Sequence, residues 1–342
     1  QGGTYMNKNW IKIGFIYVGT VIGAGFASGR EIIEFFGIYG TKGFLGIIIS
    51  GILFALIGSL ILMKIYNYKI NNLNELINKL FRKDIKLIIN IIINLSLYTG
   101  FSIMVAGSGA IFEEHLGLSF NLGIMVMILF SFIIFLFNIE GLSFINSILI
   151  PMLIVGIVFI SFYMITGETH NLLDIQGLKL TKKGNFITSS ILYFGSNCLI
   201  IVAVFSSLLP IINTKKTAIL GGVMGGIILS ILGISILGSM LVYYEEVFYL
   251  NLPMLKICSY IGENYRKLYA IILWIAMFTT ALANGFGFIN KNYENKNKIV
   301  LSFLFCISAI PLAKIGFANL VGVIYPIFGF IGFMITLCIL LY

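Results

Sequence analysis

Long apolar segments separated by short polar stretches recur along the whole chain. Ten such segments can be drawn, and most of them have the roughly 20 residues that a helix needs to cross a bilayer. The fourth and ninth are short, and Pro311 cuts the ninth. The segments cover residues 11–37, 44–65, 85–111, 122–138, 142–165, 186–209, 217–243, 268–289, 299–312 and 317–342. The pattern predicts an all-α membrane protein with ten transmembrane helices.

The segments of the two halves correspond in order and length. The starts at residues 11, 44, 122 and 142 recur near 186, 217, 299 and 317, whereas the third segment departs from this spacing. Because five segments per half is an odd number, the second half is inverted in the membrane, as in many transporters. Chance spacing in a ten-helix protein is the alternative. We expect a cleavage scar and cytoplasmic N-terminus at 1–10, a first repeat at 11–165, an extracellular loop at 166–185 and a second repeat at 186–342.

Glycines and ionisable residues interrupt the first segment between residues 19 and 31. A transmembrane helix tolerates unwound backbone only where that backbone lines a cavity or contacts a ligand. The sequence therefore predicts a helix break at Gly23–Gly25. The stretch Tyr193–Cys198 holds a glycine, a serine and an asparagine at the corresponding place in the sixth segment. We expect a second break there.

The composition supports a membrane location and excludes a soluble domain. Hydrophobic residues make up 59% of the chain and charged residues 10%, with a net charge of +9. Loops on the side of the N-terminus carry more lysine and arginine than the opposite loops, which places both termini in the cytoplasm. No basic tract alternates with stacking aromatics, so no nucleic-acid partner is expected.

The first segment carries a resemblance to a known family. Residues 22–31 (IGAGFASGRE), followed by Phe35, Phe36 and Gly37, resemble the opening of the YkvI-like bacterial membrane proteins. These are relatives of the amino acid–polyamine–organocation superfamily, which has the LeuT-type fold. The resemblance implies ten helices in a 5+5 inverted repeat with broken helices one and six. It also implies a multi-pass protein of the bacterial inner (plasma) membrane.

The resemblance implies a sodium site between the first and eighth segments. Sodium-coupled members of the superfamily bind the ion with carbonyls from the first break and with a carbonyl and two hydroxyls from an Ala-x-x-Thr-Ser/Thr pattern. The matching oxygens here are the carbonyls of Gly19, Ile22 and Ala276 and the hydroxyls of Thr279 and Thr280. A hard cation prefers such oxygens. Alternatively, the two threonines only bond back to their own helix.

The glycine-rich break is also the expected substrate site. Free N–H groups after the break favour a carboxylate, and free carbonyls favour an amine. This pairing indicates a small amino-acid-like or zwitterionic solute. For each aromatic residue the alternative is packing. The expected substrate residues are Gly23, Gly25, Phe26, Ala27, Tyr98, Tyr193, Phe194, Ser196 and Asn197.

Three ionisable residues follow the break: Arg30, Glu31 and Glu34. Ionisable residues inside a membrane are costly and mark functional sites. We expect them to form a gate or a structural ion pair, and a proton relay through Glu31 and Glu34 is the alternative. Some relatives replace the sodium with a lysine of the fifth segment, but residues 142–165 contain no lysine.

These features predict a sodium-coupled symporter that works by alternating access. The alternatives are a proton-coupled or uncoupled transporter of the same fold and a membrane sensor that binds a solute without moving it. No motif of a membrane enzyme occurs, and the chain lacks the charge rings of a selectivity filter. The expected partners are sodium, a small solute and the lipid bilayer, while the sequence does not define an oligomeric state.

Overall fold

The described chain is almost entirely helical. The computed structural model describes residues 8–81, 83–137, 142–167, 185–292 and 297–341. Its α-helices, in chain order, are α1 (Asn9–Val21), α2 (Ala24–Ala27), α3 (Arg30–Phe35), α4 (Lys42–Tyr68), α5 (Leu73–Leu80), α6 (Lys83–Glu114), α7 (Phe120–Leu136), α8 (Leu142–Gly167), α9 (Phe186–Phe205), α10 (Lys215–Leu241), α11 (Tyr244–Val247), α12 (Pro253–Ile261), α13 (Glu263–Asn292), α14 (Lys298–Ala313) and α15 (Phe317–Leu341). Helices α1 to α3 together form the first span, and α5, α11 and α12 lie in connections.

The helices have the length and the surface of membrane spans. Within the described residues, six helices are long and apolar enough to cross a membrane, and three shorter apolar helices accompany them. Large apolar side chains such as Leu56, Leu87 and Val155 are more than half exposed. In a bilayer these side chains contact lipid. The predicted all-α membrane fold and the ten segments are confirmed.

The segment boundaries agree closely with the sequence pattern. The eighth span differs most, because α13 begins at Glu263 rather than near residue 268. Residues 1–7 and 168–184 lie outside the described residues. The expected scar and most of the expected loop between the two repeats are therefore not tested.

Helices that occupy the same place in the two repeats pack directly against each other. These pairs are α4 with α10, α6 with α13, and α7 with α14. The first span packs on α10, and α9 packs on α4, which is the equivalent contact in the other half. This pairing is the arrangement that a pseudo-two-fold axis in the membrane plane produces. It places the first span and α9 beside the central pair α4 and α10.

The first span is broken where the glycines predict. Helix α1 ends at Val21, and Gly23 is extended with φ −97° and ψ −176° before α2 begins. A second interruption follows at Gly29, whose φ of 81° is left-handed. Only glycine adopts that conformation without strain. Glycine therefore permits the turn between α2 and α3.

The expected break in the sixth segment is wrong, because α9 is a continuous helix from Phe186 to Phe205. The polar residues that suggested a break are satisfied inside the helix. Ser196 and Asn197 both donate to the carbonyl of Tyr193, at 2.8 and 3.1 Å. Gly195 has a packing role, since a Cβ there would lie 1.9 Å from the carbonyl oxygen of Gly329 on α15. The small residues let two helices approach closely.

Candidate functional site

The break in the first span leaves backbone groups without helical partners. Gly23 N–H donates to the Val21 carbonyl, and Ala27 N–H donates to the Gly23 carbonyl. Among the described residues, no backbone N–H donates to the carbonyls of Gly19 or Ile22. A helix end normally leaves such groups to side chains, water or ligands. These two carbonyls are therefore available to a bound species.

The two glycines of the break have different surroundings. A Cβ on Gly23 would meet no atom within 4 Å. A Cβ on Gly25 would lie only 1.9 Å from Oε1 of Glu31, so the carboxylate occupies the space over that glycine. The break thus has open space on one side and a carboxylate on the other.

The expected sodium ligands of the eighth span lie on α13, which packs against α2. The Tyr269 hydroxyl of α13 donates to the Ala27 carbonyl at 2.7 Å. This bond places Tyr269 of α13 next to Ala27 of α2. Further along α13, the hydroxyls of Thr279 and Thr280 donate to the Ala276 carbonyl at 3.1 and 2.8 Å. This is the back-bonding that membrane helices often show. A hydroxyl that donates in this way keeps its oxygen lone pairs for a cation.

Arg30 and Glu34 form an ion pair, while Glu31 is separate from it. Arg30 Nη2 lies 2.9 Å from Glu34 Oε2, and both side chains are buried. The Arg30 guanidinium also donates to the carbonyls of Phe248 and Leu250, at 2.7 and 3.1 Å. Of the three residues expected to form a gate or an ion pair, Arg30 and Glu34 thus form the ion pair, which is bonded to the segment before α12.

Glu31 lies deeper in the protein and is only 4% exposed. Tyr325 of α15 lies near its carboxylate. Within the described residues, no lysine, arginine or histidine pairs with Glu31. A buried carboxylate without a cation is costly unless it binds a proton or a positive ligand. Glu31 therefore has different surroundings from Arg30 and Glu34.

A loop that the sequence did not single out closes the end of the first span distant from the N-terminus. Met254 N–H donates to the Ser28 carbonyl at 3.0 Å. Glu114, at the end of α6, accepts from the Asn251 N–H and side-chain amide at 2.8 and 2.9 Å. Asn251 Oδ1 accepts from Ala318 N–H of α15 at 2.9 Å. We call Arg30, Glu114, Asn251 and the loop 248–254 the clasp.

The clasp and two tyrosines are functional candidates that sequence reasoning missed. Glu114 was visible as an acid at a segment end, but no sequence signal linked it to Asn251. Tyr269 and Tyr325 are two tyrosines among 17. Their contacts with the first span depend on how distant helices pack, which the local sequence does not specify.

The predicted substrate residues divide into two groups. Phe26 and Tyr193 line a narrow void of only ≈ 10 Å³ together with Phe36, Ser50 and Phe54. The void extends between the first span, α4 and α10. Gly23, Gly25 and Ala27 belong to the break itself, and Ala27 is fully buried. Gly23, Gly25 and Ala27 are not among the residues that line the void.

The other predicted substrate residues face different neighbours. The Tyr98 hydroxyl donates to the Ser308 carbonyl of α14 at 2.7 Å, and its ring packs on Phe305. Phe194 packs against Phe54 and Phe333 in the core. The side chains of Ser196 and Asn197 bond within α9. In this conformation the structure does not bring these four side chains to the break.

The region has no cluster typical of a transition-metal site. Among the described residues, no group of three or more histidine, cysteine, aspartate or glutamate side chains lies together. The oxygens at the break are backbone carbonyls and threonine hydroxyls, which are ligands for a hard cation.

Solved structures with the same fold are transporters. A mutant of the Eremococcus coleocola manganese transporter matches 100% of this chain and 80% of its own chain, with a TM-score of 0.65 and 15% identity. The inward-facing conformation of Mhp1 matches 94% of this chain and 73% of its own, with a TM-score of 0.59 and 13% identity. These similarities establish the LeuT-type fold.

Two relatives match over almost the whole sequence. The uncharacterized protein YyaD of Bacillus subtilis (strain 168) is 26% identical over 335 residues, 96% of this chain and 95% of the relative. No protein-family profile matches the chain. The uncharacterized membrane protein YkvI of the same organism is 30% identical over 332 residues, 94% of this chain and 92% of the relative. The chain therefore belongs to the same family of membrane proteins as YkvI.

Proposed function

We propose that the protein is a sodium-coupled symporter for a small amino-acid-like or zwitterionic solute. It works in a bacterial plasma membrane with both termini in the cytoplasm. The observation that carries this proposal is the pair of carbonyls at Gly19 and Ile22, which have no backbone donor among the described residues. These are the two positions that the resemblance to the amino acid–polyamine–organocation superfamily assigns to sodium. The shared fold with a manganese transporter and Mhp1 supports transport as the activity.

The depth of the ligands in the membrane supports a shared ion site. The first and eighth spans run in opposite directions, since seven connections separate them. The contact between Ala27 and Tyr269 is the common reference point. Ala276 lies seven residues after Tyr269 on α13, which is about 10 Å along the helix axis. Ile22 lies five residues before Ala27 in the first span. This is about 11 Å along the span, because part of that stretch is extended and rises more per residue than a helix. The carbonyl of Ile22 and the pattern that begins at Ala276 are therefore at a similar level.

Sodium bound there would connect the first span to α13. An ion that binds one conformation more tightly shifts the population toward it, and the linkage is reciprocal with the solute. Sodium moving inward through 100 mV releases about 2.3 kcal/mol. This energy would drive uptake of the solute against its gradient.

The open side of Gly23 supports the break as the solute site. The N–H groups of Ala24, Gly25 and Phe26 have no backbone acceptor among the described residues. They would bind the solute carboxylate, because unpaired amides at the start of a helix favour anions. Phe26 and Tyr193 would contact its apolar part.

Binding of radioactive sodium to the purified protein tests the ion site. We expect Thr279→Ala and Thr280→Ala each to weaken sodium binding by about tenfold, because each removes one oxygen ligand, worth on the order of 1.4 kcal/mol. Thr99→Ala is the matched control, since Thr99 also bonds back to its own helix, to the Leu95 carbonyl. Unchanged sodium binding in both α13 variants would refute the assigned site.

A further inference from the structure

We propose that Glu31 is the counter-charge for a protonated amine on the substrate, so that the solutes accepted are amines with N–H donors. This inference rests on the proposed solute site at the break and names the group that recognises its positive end. From the sequence, Glu31 is expected in a gate or a structural ion pair with Arg30 and Glu34, but its carboxylate is not part of the Arg30–Glu34 ion pair. Three features of its surroundings carry the inference.

The first feature is a buried carboxylate that has no cationic partner among the described residues. The Arg30 side chain, next to Glu31 in sequence, pairs with Glu34 and with two carbonyls of the clasp. The titratable groups that face Glu31 from other helices are the hydroxyls of Tyr325 on α15 and Tyr193 on α9. Neither supplies a positive charge. A cationic ligand would balance this buried carboxylate and lower its cost.

The second feature is the position of the carboxylate. Glu31 Oε1 covers Gly25, two residues from Gly23 and its open space. A solute whose carboxylate binds the N–H groups of the break would therefore have its amine near Glu31. An α-amino acid has these two groups on one carbon, which suits this short separation.

The third feature is the unpartnered hydroxyl of Tyr193, which faces Glu31 from α9. Tyr193 is 3% exposed, and its hydroxyl has no hydrogen-bond partner among the described residues. Its ring packs on Phe35, one turn after Glu31 on α3, at 5.4 Å between ring centroids. Buried hydroxyls are rarely left unpaired. An ammonium group between Glu31 and Tyr193 would donate to both.

The surroundings of Tyr193 favour an organic cation over a bare metal ion. The rings of Phe35, Phe36 and Phe54 all pack against the ring of Tyr193. Aromatic faces attract ammonium groups, whereas sodium requires several oxygen ligands. Since the recognition uses hydrogen bonds to a carboxylate and a hydroxyl, an amine that keeps its N–H groups fits better than a quaternary one.

Three small compounds with the same isobutyl group test the proposal. L-leucine has both charges, isoamylamine has only the amine and isocaproate has only the carboxylate. Binding to the purified full chain is measured as the ligand-dependent rise in unfolding temperature, at fixed sodium. The variants are Glu31→Gln, which keeps the shape of the side chain, and Tyr193→Phe, which removes one oxygen. Glu113→Gln, an exposed acid at the end of α6, is the matched control.

We expect L-leucine and isoamylamine to stabilise the wild type and Glu113→Gln. Glu31→Gln should weaken both by about 10- to 100-fold, the usual range for a charge-assisted hydrogen bond. Tyr193→Phe should weaken both by a smaller factor. The inference is overturned if neither amine stabilises the wild type, or if Glu31→Gln binds them equally well. It is also overturned if Glu31→Gln keeps amine binding and loses only a pH dependence of uptake, because Glu31 would then carry a proton. Sodium binding that depends on Thr279 and Thr280 would leave the proposed function standing in each of these cases.

Discussion

At the scale of single residues, the break in the first span depends on which glycine faces which neighbour. Gly25 leaves room for the Glu31 carboxylate, and Gly23 faces open space. The sequence showed that both glycines were unusual inside a transmembrane segment, and the structure assigns them different tasks. Only the packing of α3 back onto the break distinguishes them.

Alanine substitution of each glycine tests this difference. Gly25→Ala would place a Cβ 1.9 Å from Glu31 Oε1 and 2.8 Å from its Cδ. We expect it to destabilise the protein by about 1–3 kcal/mol, because overpacked sites force shifts. The measurement is thermal unfolding followed with a thiol-reactive dye, since Cys198, Cys258 and Cys306 are buried.

The matched control is Gly23→Ala, whose Cβ meets no atom within 4 Å and whose backbone is extended. We expect its stability to stay within about 0.5 kcal/mol of the wild type, as for substitutions away from packed features. Equal destabilisation by the two substitutions would contradict the described position of Glu31.

At the scale of helices, the sequence predicted the first break correctly and the sixth wrongly. Both stretches combine glycine with polar residues, and composition alone does not separate them. In the first span the backbone leaves the helix at Ile22. In α9 the side chains of Ser196 and Asn197 donate to the Tyr193 carbonyl, and Gly195 allows close packing against α15. The two stretches differ because α15 packs against Gly195 of α9, and a local sequence pattern does not contain that information.

The contact between α9 and α15 predicts a strong effect at Gly195. Gly195→Ala would bring a Cβ 1.9 Å from the Gly329 carbonyl, which is backbone and cannot turn away. We expect a loss of about 1–3 kcal/mol and separation of the two helices. The same dye-based unfolding measurement reports it.

A second glycine provides the comparison for that helix contact. Gly156 lies in α8, and its added Cβ would reach Tyr269 only at 3.6 Å, an ordinary contact. Gly156→Ala should be neutral or slightly stabilising, since alanine favours helices. Should Gly195→Ala prove as mild as Gly156→Ala, the close crossing of α9 and α15 is wrong.

At the scale of the whole molecule, the ten spans followed from the hydrophobic pattern, because each helix needs enough apolar residues to cross the lipid. The clasp did not follow from it. Arg30, Glu114 and Asn251 come from three distant parts of the chain and meet only in the folded protein. The clasp closes one end of the first span, which for a transporter is a gated state.

Loss of Asn251 should loosen this closed end. Asn251→Ala removes the side-chain bonds to Glu114 and Ala318. We expect amide hydrogen exchange over residues 248–254 to accelerate by about tenfold, as the local opening energy falls. Asn319→Ala is the control, because the Asn319 amide donates to the nearby Ile315 carbonyl, just before α15, and not to the loop. Unchanged exchange in Asn251→Ala would show that the clasp does not hold the loop.

The central claim is that sodium drives a solute through the broken first span. The most direct measurement is uptake of a radiolabelled mixture of amino acids into proteoliposomes, with and without an inward sodium gradient. The account predicts accumulation only with the gradient, and its loss in the double variant Thr279→Ala and Thr280→Ala. Uptake that is equal without sodium, or no uptake at all, would contradict it.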